Sequence, residues 1–384
     1  MINGDSDVFF GEVVIDGAKI IFVGTNYQGK FDNVIDCKNN ILMPGFINCH
    51  AHSPMTLLKG LGEGSNLEDW LYKHIFPREK SLTKADIEYG TKLAVNEFLK
   101  NGITCFQDNY FYPEVTAKVC EEMGIRAVIS LSQNYSPTKF ITEKQLENNY
   151  LKLKDNHSLV KFNFYFHSTY TCDEKQILSA ISLAKKYDTF VCTHASETLT
   201  EVGNCTAKNN GKTPIMLLES LGFFDANNLI AHGVVLEKED LQILKNNNAN
   251  IAHNPASNLK LGSGIANLKA MEQNGVNICL GTDGSASNNK LDMFREMYLA
   301  SVLQKAIFND ATLFPPQKVI NMATKNGAKA LLYNNLGEIK VGYLADIILV
   351  ENNCINDIKS DLVYASGVGN VLFTMVNGKV VYKK

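Results

Sequence analysis

His50 and His52 close an apolar run, Pro44-Gly45-Phe46-Ile47-Asn48-Cys49-His50-Ala51-His52. Alternate residues of a strand share a face, so the pair can turn two imidazoles toward one metal ion. More residues able to do chemistry follow: His194 and Glu197 in Thr193-His194-Ala195-Ser196-Glu197, His232 in Ala231-His232-Gly233, and Asp283 in Gly281-Thr282-Asp283-Gly284. Three imidazoles and a carboxylate suit zinc or ferrous iron, and His50, His52, His194 and Asp283 are the expected ligands of one divalent ion. Such an ion would lower the pKa of a water toward about 7, with the Asp283 carboxylate beside it to accept the proton. Glu197, partly desolvated three residues past His194, would protonate a substrate nitrogen and then the leaving group. His232 would orient or polarise the attacking water. Each has a plainer reading when taken alone: a turn aspartate before glycine, a satisfied buried histidine, a carboxylate favouring a helix dipole.

What joins these residues is the order of elements that must carry them. Strand-like runs are expected at residues 41–48, 103–107, 126–131, 160–166, 189–193, 228–232, 250–253 and 276–280. Amphipathic helix patterns fall between them, at 84–100, 113–123, 174–187, 215–221, 238–245 and 268–274. Eight strand-then-helix units predict an α/β fold, a TIM-like (β/α)8 barrel. The residues at the C-terminal strand ends are then His50/His52, Asp108, Ser130/Ser132, His167, His194, His232, His253 and Asp283. That is the face on which such barrels build active sites, and only His74 and His157 fall elsewhere, as expected surface residues. Residues 11–23 and 346–384 read instead as short alternating β runs, with a hairpin turn at Asn377-Gly378, and should pair into one small β domain. The expected division is 1–43 with 338–384 for that domain and 44–337 for the barrel.

Composition narrows the function further. The 384 residues, 45% hydrophobic and 20% charged, can bury a large core, and a net charge of -3 gives no reason to expect nucleic acid or an anionic membrane as partner. Nine cysteines without a C-x-x-C pair, several inside apolar runs, read as buried thiols of a reducing cytosol. Residues 1–7 lack the basic and apolar regions of a secretory leader, so a cytoplasmic protein with a small-molecule ligand is expected.

Together the first-strand run, Thr193–Glu197, His253-Asn254-Pro255-Ala256-Ser257-Asn258 and Gly281–Gly284 resemble the amidohydrolase superfamily, and within it the 5'-methylthioadenosine / S-adenosylhomocysteine deaminases. The resemblance spans roughly residues 11 to 384. It implies that the small domain is a β-sandwich built from both chain ends, and that one metal per chain, zinc ahead of iron, is held by His50, His52, His194 and Asp283. It further implies Glu197 as proton shuttle, Glu79 as ligand of the ribose hydroxyls and His167 as a substrate contact, alongside His194, Glu197 and Asp283. The implied activity is hydrolytic deamination of an adenine nucleoside at C6, with the nucleoside as partner and a homo-oligomer as the possible assembly. The alternatives are other mononuclear members: a guanine or cytosine deaminase, a chlorohydrolase-like enzyme, or an aminodeoxyfutalosine deaminase. A two-metal relative would need a lysine at the end of the fourth strand, where His167 stands, and a catalytically dead scaffold would have lost ligands. One departure bears on substrate. Members that bind S-adenosylhomocysteine carry arginines after the third strand, whereas residues 131–151 contain none.

Overall fold

The structure, a computed structural model, describes residues 1–3 and 8–384; the leader reading falls partly on residues 4–7, outside those described. Eight parallel strands form one sheet in sequence order: β1 (Phe46–Ala51), β2 (Ile103–Asp108), β3 (Arg126–Leu131), β4 (Val160–Ser168), β5 (Phe190–Ala195), β6 (Asn227–His232), β7 (Asn250–His253) and β8 (Asn277–Leu280). The sheet curls until its edges meet. At that seam the Asp283 amide donates to the His50 carbonyl (2.9 Å), and the Asn48 and Thr282 side chains bond at 2.7 Å. Cys105, Val128, Cys192, Leu229, Ala252 and Cys279, from six strands, form one buried cluster. Residues one position away on the strands, such as Phe106 and Ile251, join the larger cluster with helix residues such as Phe98 and Met271. This period-two division makes each strand apolar on both sides.

Helices cover the barrel where the pattern predicts them, as with Lys84–Lys100, which opens on a capping box of Thr83 and Asp86. Several helices went unpredicted, the longest of them Glu143–Leu153, Leu199–Lys208 and Met293–Phe308. All nine cysteines are free thiols, six of them buried, and no helix among the described residues is long and apolar enough to cross a membrane.

The chain ends form a separate four-stranded antiparallel sheet from Ile41–Pro44, Ile347–Val350, Val371–Val376 and Lys379–Lys383, and a two-stranded sheet, Glu12–Asp16 with Lys19–Gly24, packs on it through Ile20. The run at 41–48 is therefore not one strand. It divides at Gly45, whose missing side chain lets the backbone pass Thr104; a Cβ there would lie 2.2 Å from that residue. Residues 346–384 are not β throughout either, because Asp357 caps a helix at Ile358–Tyr364 that buries Leu362 and Val363. The Asn377-Gly378 hairpin is present, both residues at positive φ, 54° and 77°.

Sheet and barrel are tied at the floor, the end away from the strand-end histidines. Arg126 donates through Nε (2.8 Å) and Nη2 (3.0 Å) to the buried Asp346 carboxylate, and Nη2 also reaches Asn377 Oδ1 at 3.2 Å. Arg126→Met would leave that carboxylate buried without its cation, and should destabilise the fold by roughly 3–5 kcal/mol. Urea unfolding would measure the loss, and the folded fraction should keep its activity. A midpoint equal to wild type would refute the tie.

Candidate active site and metal centre

Four strand ends bring the first-named residues together. His52 Nδ1 lies 2.7 Å from the Asn109 carbonyl and His194 Nδ1 2.7 Å from the His167 carbonyl. A carbonyl only accepts, so both Nδ1 atoms carry the proton and both Nε2 lone pairs face inward, 3.3 Å apart. His50 Nε2 is buried with no hydrogen-bond partner among the described residues, 3.5 Å from Asp283 Oδ1, which also lies 3.2 Å from His52 Nε2. Facing lone pairs beside a carboxylate repel unless a cation lies among them, so the donors fit a divalent metal ion. The ligand-capable atoms of His50, His52 and His194 lie within 4.8 Å of one another, as do those of His50, His232 and Asp283. Burial drives His50 down to about 4 and, with the neighbouring imidazoles, holds His194 well below its ordinary range. Burial works against a charge on His52 too, yet the Asp283 carboxylate draws it up.

Asp283 is held on every side. Its Oδ1 accepts the Gly284 amide (2.7 Å), and Oδ2 accepts the hydroxyls of Ser257 (2.6 Å) and Ser287 (3.0 Å). His232 reaches the same cluster through its backbone. Its φ of 78° breaks the alternation that would carry its ring to the helix side, since Ile230 packs there. Its Nδ1 meets Asn258 Oδ1 at 2.8 Å, which leaves the Nε2 lone pair 3.7 Å from Glu197 Oε2. Glu197 is 4% exposed and accepts from Ser263 Oγ at 3.3 Å. Burial pushes its carboxyl up to about 7; His232 opposes this, and Asp283 and Glu201 reinforce it.

These groups form the floor of a cavity of about 520 Å³. The long connection between β1 and β2, residues 53–82, covers it. Helical turns from Leu67 to Glu79, capped by Asn66, bury Leu67, Trp70, Leu71 and Ile75 against Met55, Leu58 and Leu261. Trp70 is the only tryptophan in the chain. It packs beneath these turns, donating from Nε1 to the Leu61 carbonyl (3.0 Å), and it also lines the cavity. Glu79 enters from the last turn, buried, accepting at 2.7 Å from the Tyr110 hydroxyl, with its carboxyl pushed up to about 7 by burial against that bond. His167 also lines the cavity, its ring 6.1 Å from that of Phe76 and its Nδ1 2.9 Å from Thr171 Oγ1.

Besides His50, which lies beneath His52 and His194 without lining the cavity itself, three strand-end residues stay out of it. His253 follows Ile251 on the helix side of β7, and Asp108 follows Phe106 on that side of β2, where it accepts the Ser53 amide at 2.6 Å. Ser130 points inward but lies lower, bonded to Asn163 Oδ1 at 2.7 Å. Lys161 sits at the barrel floor, its Nζ 3.7 Å over the Tyr333 ring, away from the cluster. His74 is exposed, and His157 is half-buried beside Glu121. Tyr110, Ser257, Ser287, Asn258 and Glu201 had drawn no functional reading. Ser257 and Asn258 lie inside the quoted 253–258 motif, a signal that could have found them.

The model of the amidohydrolase family matches residues 41–381. The 5-methylthioadenosine/S-adenosylhomocysteine deaminase of Thermococcus kodakarensis is 41% identical, over 99% of this chain and 92% of that protein. The 5'-deoxyadenosine deaminase of Methanococcoides burtonii is 37% identical, over 98% and 88%. Among solved structures, an adenosine deaminase from Xanthomonas campestris with bound zinc superposes with a TM-score of 0.87 at 30% identity, covering 96% of this chain and 87% of that one.

Proposed function

The chain belongs to the amidohydrolase family, and from that premise we propose that it hydrolyses the C6 amino group of an adenine nucleoside, releasing ammonia and the inosine analogue. The observation that carries this reading is one buried carboxyl, Glu197, facing both the imidazole–carboxylate cluster and a cavity of nucleoside size whose wall holds a second buried carboxyl, Glu79. We assign catalysis to residues 44–337, with the chain ends, 1–43 and 338–384, as a supporting domain.

His50, His52, His194 and Asp283 would hold one divalent ion, zinc ahead of iron, which supplies Lewis-acid activation of a water. Everything else falls to the chain. Glu197 gives its proton to the purine N1, making C6 more electrophilic. The Nε2 lone pair of His232 orients the incoming water, and the Asp283 carboxylate takes up the proton it loses. Glu197, now ionised, takes the proton of the hydroxyl added at C6 and passes it to the departing amine, and the proton held by Asp283 then restores Glu197, so that water and nucleoside become ammonia and the inosine analogue. Glu79 retains lone pairs beyond the one used by Tyr110, and accepts from the neighbouring 2'- and 3'-hydroxyls, a contact that a free base cannot make. His167, which also lines the cavity, contacts the substrate.

After β3 the cavity wall is made of Ser132, Asn134, Ser136 and Pro137, none of them charged. An amino-acid carboxylate on the 5' substituent therefore finds no guanidinium fork there. A hydrogen bond to a charged group contributes about 1.5–3 kcal/mol, so kcat/KM for 5'-methylthioadenosine, 5'-deoxyadenosine or adenosine should exceed that for S-adenosylhomocysteine by ~10- to 100-fold. Following the adenine-to-hypoxanthine absorbance change of metal-loaded protein with these four, adenine and guanine tests reaction and ranking together. No change with any substrate would sink the deaminase reading, and equal kcat/KM values would sink only the ranking.

A further inference from the structure

Glu201 makes a contact that its place in the fold does not require. Thr198 caps the helix Leu199–Lys208, its hydroxyl accepting the Glu201 amide at 3.1 Å. In an ordinary capping box the side chain at that third position returns to the amide of the cap residue itself. Here it reaches further back. Glu201 Oε1 accepts the Ser196 amide at 3.0 Å and Oε2 accepts the Glu197 amide at 2.6 Å. Ser196 is left-handed, with φ 55°, a conformation a serine keeps only when its surroundings hold it. Two consecutive N–H groups around such a residue make a concave anion site, filled here by the chain's own carboxylate, which is 7% exposed.

We propose that Glu201 is a positioning residue for the reaction: its carboxylate clamps the turn after β5 and so aims the Glu197 side chain at the cavity. The proposal rests on the reading of Glu197 as proton carrier. The clamp lies between His194, the last inward residue of β5, and Glu197, and it sets how far the carboxyl stands from His232 Nε2. Its charge acts as well. The groups facing Glu197 are His232 from the end of β6, Asp283 from beyond β8, Tyr170 from the loop after β4 and Glu201 from the following helix. Of these, Asp283 and Glu201 favour the protonated carboxyl, so Glu201 helps Glu197 to keep the proton it must give away.

Two substitutions separate clamp from charge. Glu201→Gln offers one acceptor to two N–H groups and removes the charge. It should lower kcat roughly tenfold to a hundredfold, the cost of an ångström-scale misplacement. KM and metal content should stay at wild-type values, and the high-pH limb of kcat should move to lower pH. Glu201→Asp keeps the charge but is one methylene too short, so kcat should fall with the limb in place. Wild-type kcat and an unmoved limb in both variants would overturn the proposal, as would a loss confined to KM. Should either variant fail to fold, hydrogen exchange on the metal-loaded wild type still decides: the Ser196 and Glu197 amides should be protected, and rapid exchange would overturn the clamp. Glu197→Gln run in parallel separates the levels. Full rate in that variant removes the underlying reading, whereas a slow Glu197→Gln beside normal Glu201 variants removes only this proposal.

Discussion

Replacing Glu197 by glutamine should lower kcat by roughly a hundredfold or more, while the protein still binds its metal ion. The carboxyl is 4% exposed, lies 3.7 Å from His232 Nε2, and is raised by burial to about 7, so near neutral pH a large fraction carries the proton that a purine nitrogen needs. Glutamine matches it in shape and can still accept from Ser263, but it has no acidic proton to give and cannot pass one to a leaving amine. The sign of the pH dependence follows. A carboxyl raised to about 7 is protonated below that pH, so wild-type kcat/KM should fall as pH rises past it. The residual activity of the variant should lack that limb. Full rate with an unchanged profile would show that some other group carries the proton.

Much of the site could be read from residue type and strand position alone, and the places where that reading stopped have physical causes. Strand ends identify which residues reach the top of the barrel, but period two decides which side of the strand they leave from. His253 and Asp108 end strands as His194 does, yet they share a face with Ile251 and Phe106 and turn to the helices. His232 would have been lost by the same rule, and is rescued by a left-handed backbone that no pattern of side chains announces. The split at Gly45 was hidden because two sheets share one apolar run, and only the close approach to Thr104, which leaves no room for a Cβ, shows why glycine stands at the crossing. The supporting groups were harder still. Tyr110 and Glu79, 31 residues apart, meet only because the turns over the cavity fold back onto the barrel. The Glu201 clamp is local, but it runs against the usual direction of a capping box, so a motif search would have assigned it to the helix alone.

Removing the metal ion with a chelator should abolish turnover and lower the melting temperature, and zinc should restore both. The second effect comes from the donors themselves. His52 and His194 donate from Nδ1–H to backbone carbonyls and point Nε2 lone pairs at each other across 3.3 Å, with the Asp283 carboxylate alongside. Burial keeps His50 and His194 from taking up protons in place of the ion, so without it the folded state holds unpaired acceptors against one another. An ion that binds only the folded chain stabilises it by about 4 kcal/mol when free at 1,000 times its dissociation constant, which makes the melting temperature depend on metal concentration. Calorimetry with and without chelator measures this independently of any substrate. Elemental analysis of the loaded protein should find one equivalent, whereas two tightly held ions would reopen the two-metal alternative despite the distant Lys161. If verified removal left both melting temperature and turnover unchanged, the facing imidazoles would have to be reconciled by a shared proton, and the hydrolytic reading would lose its source of an activated water.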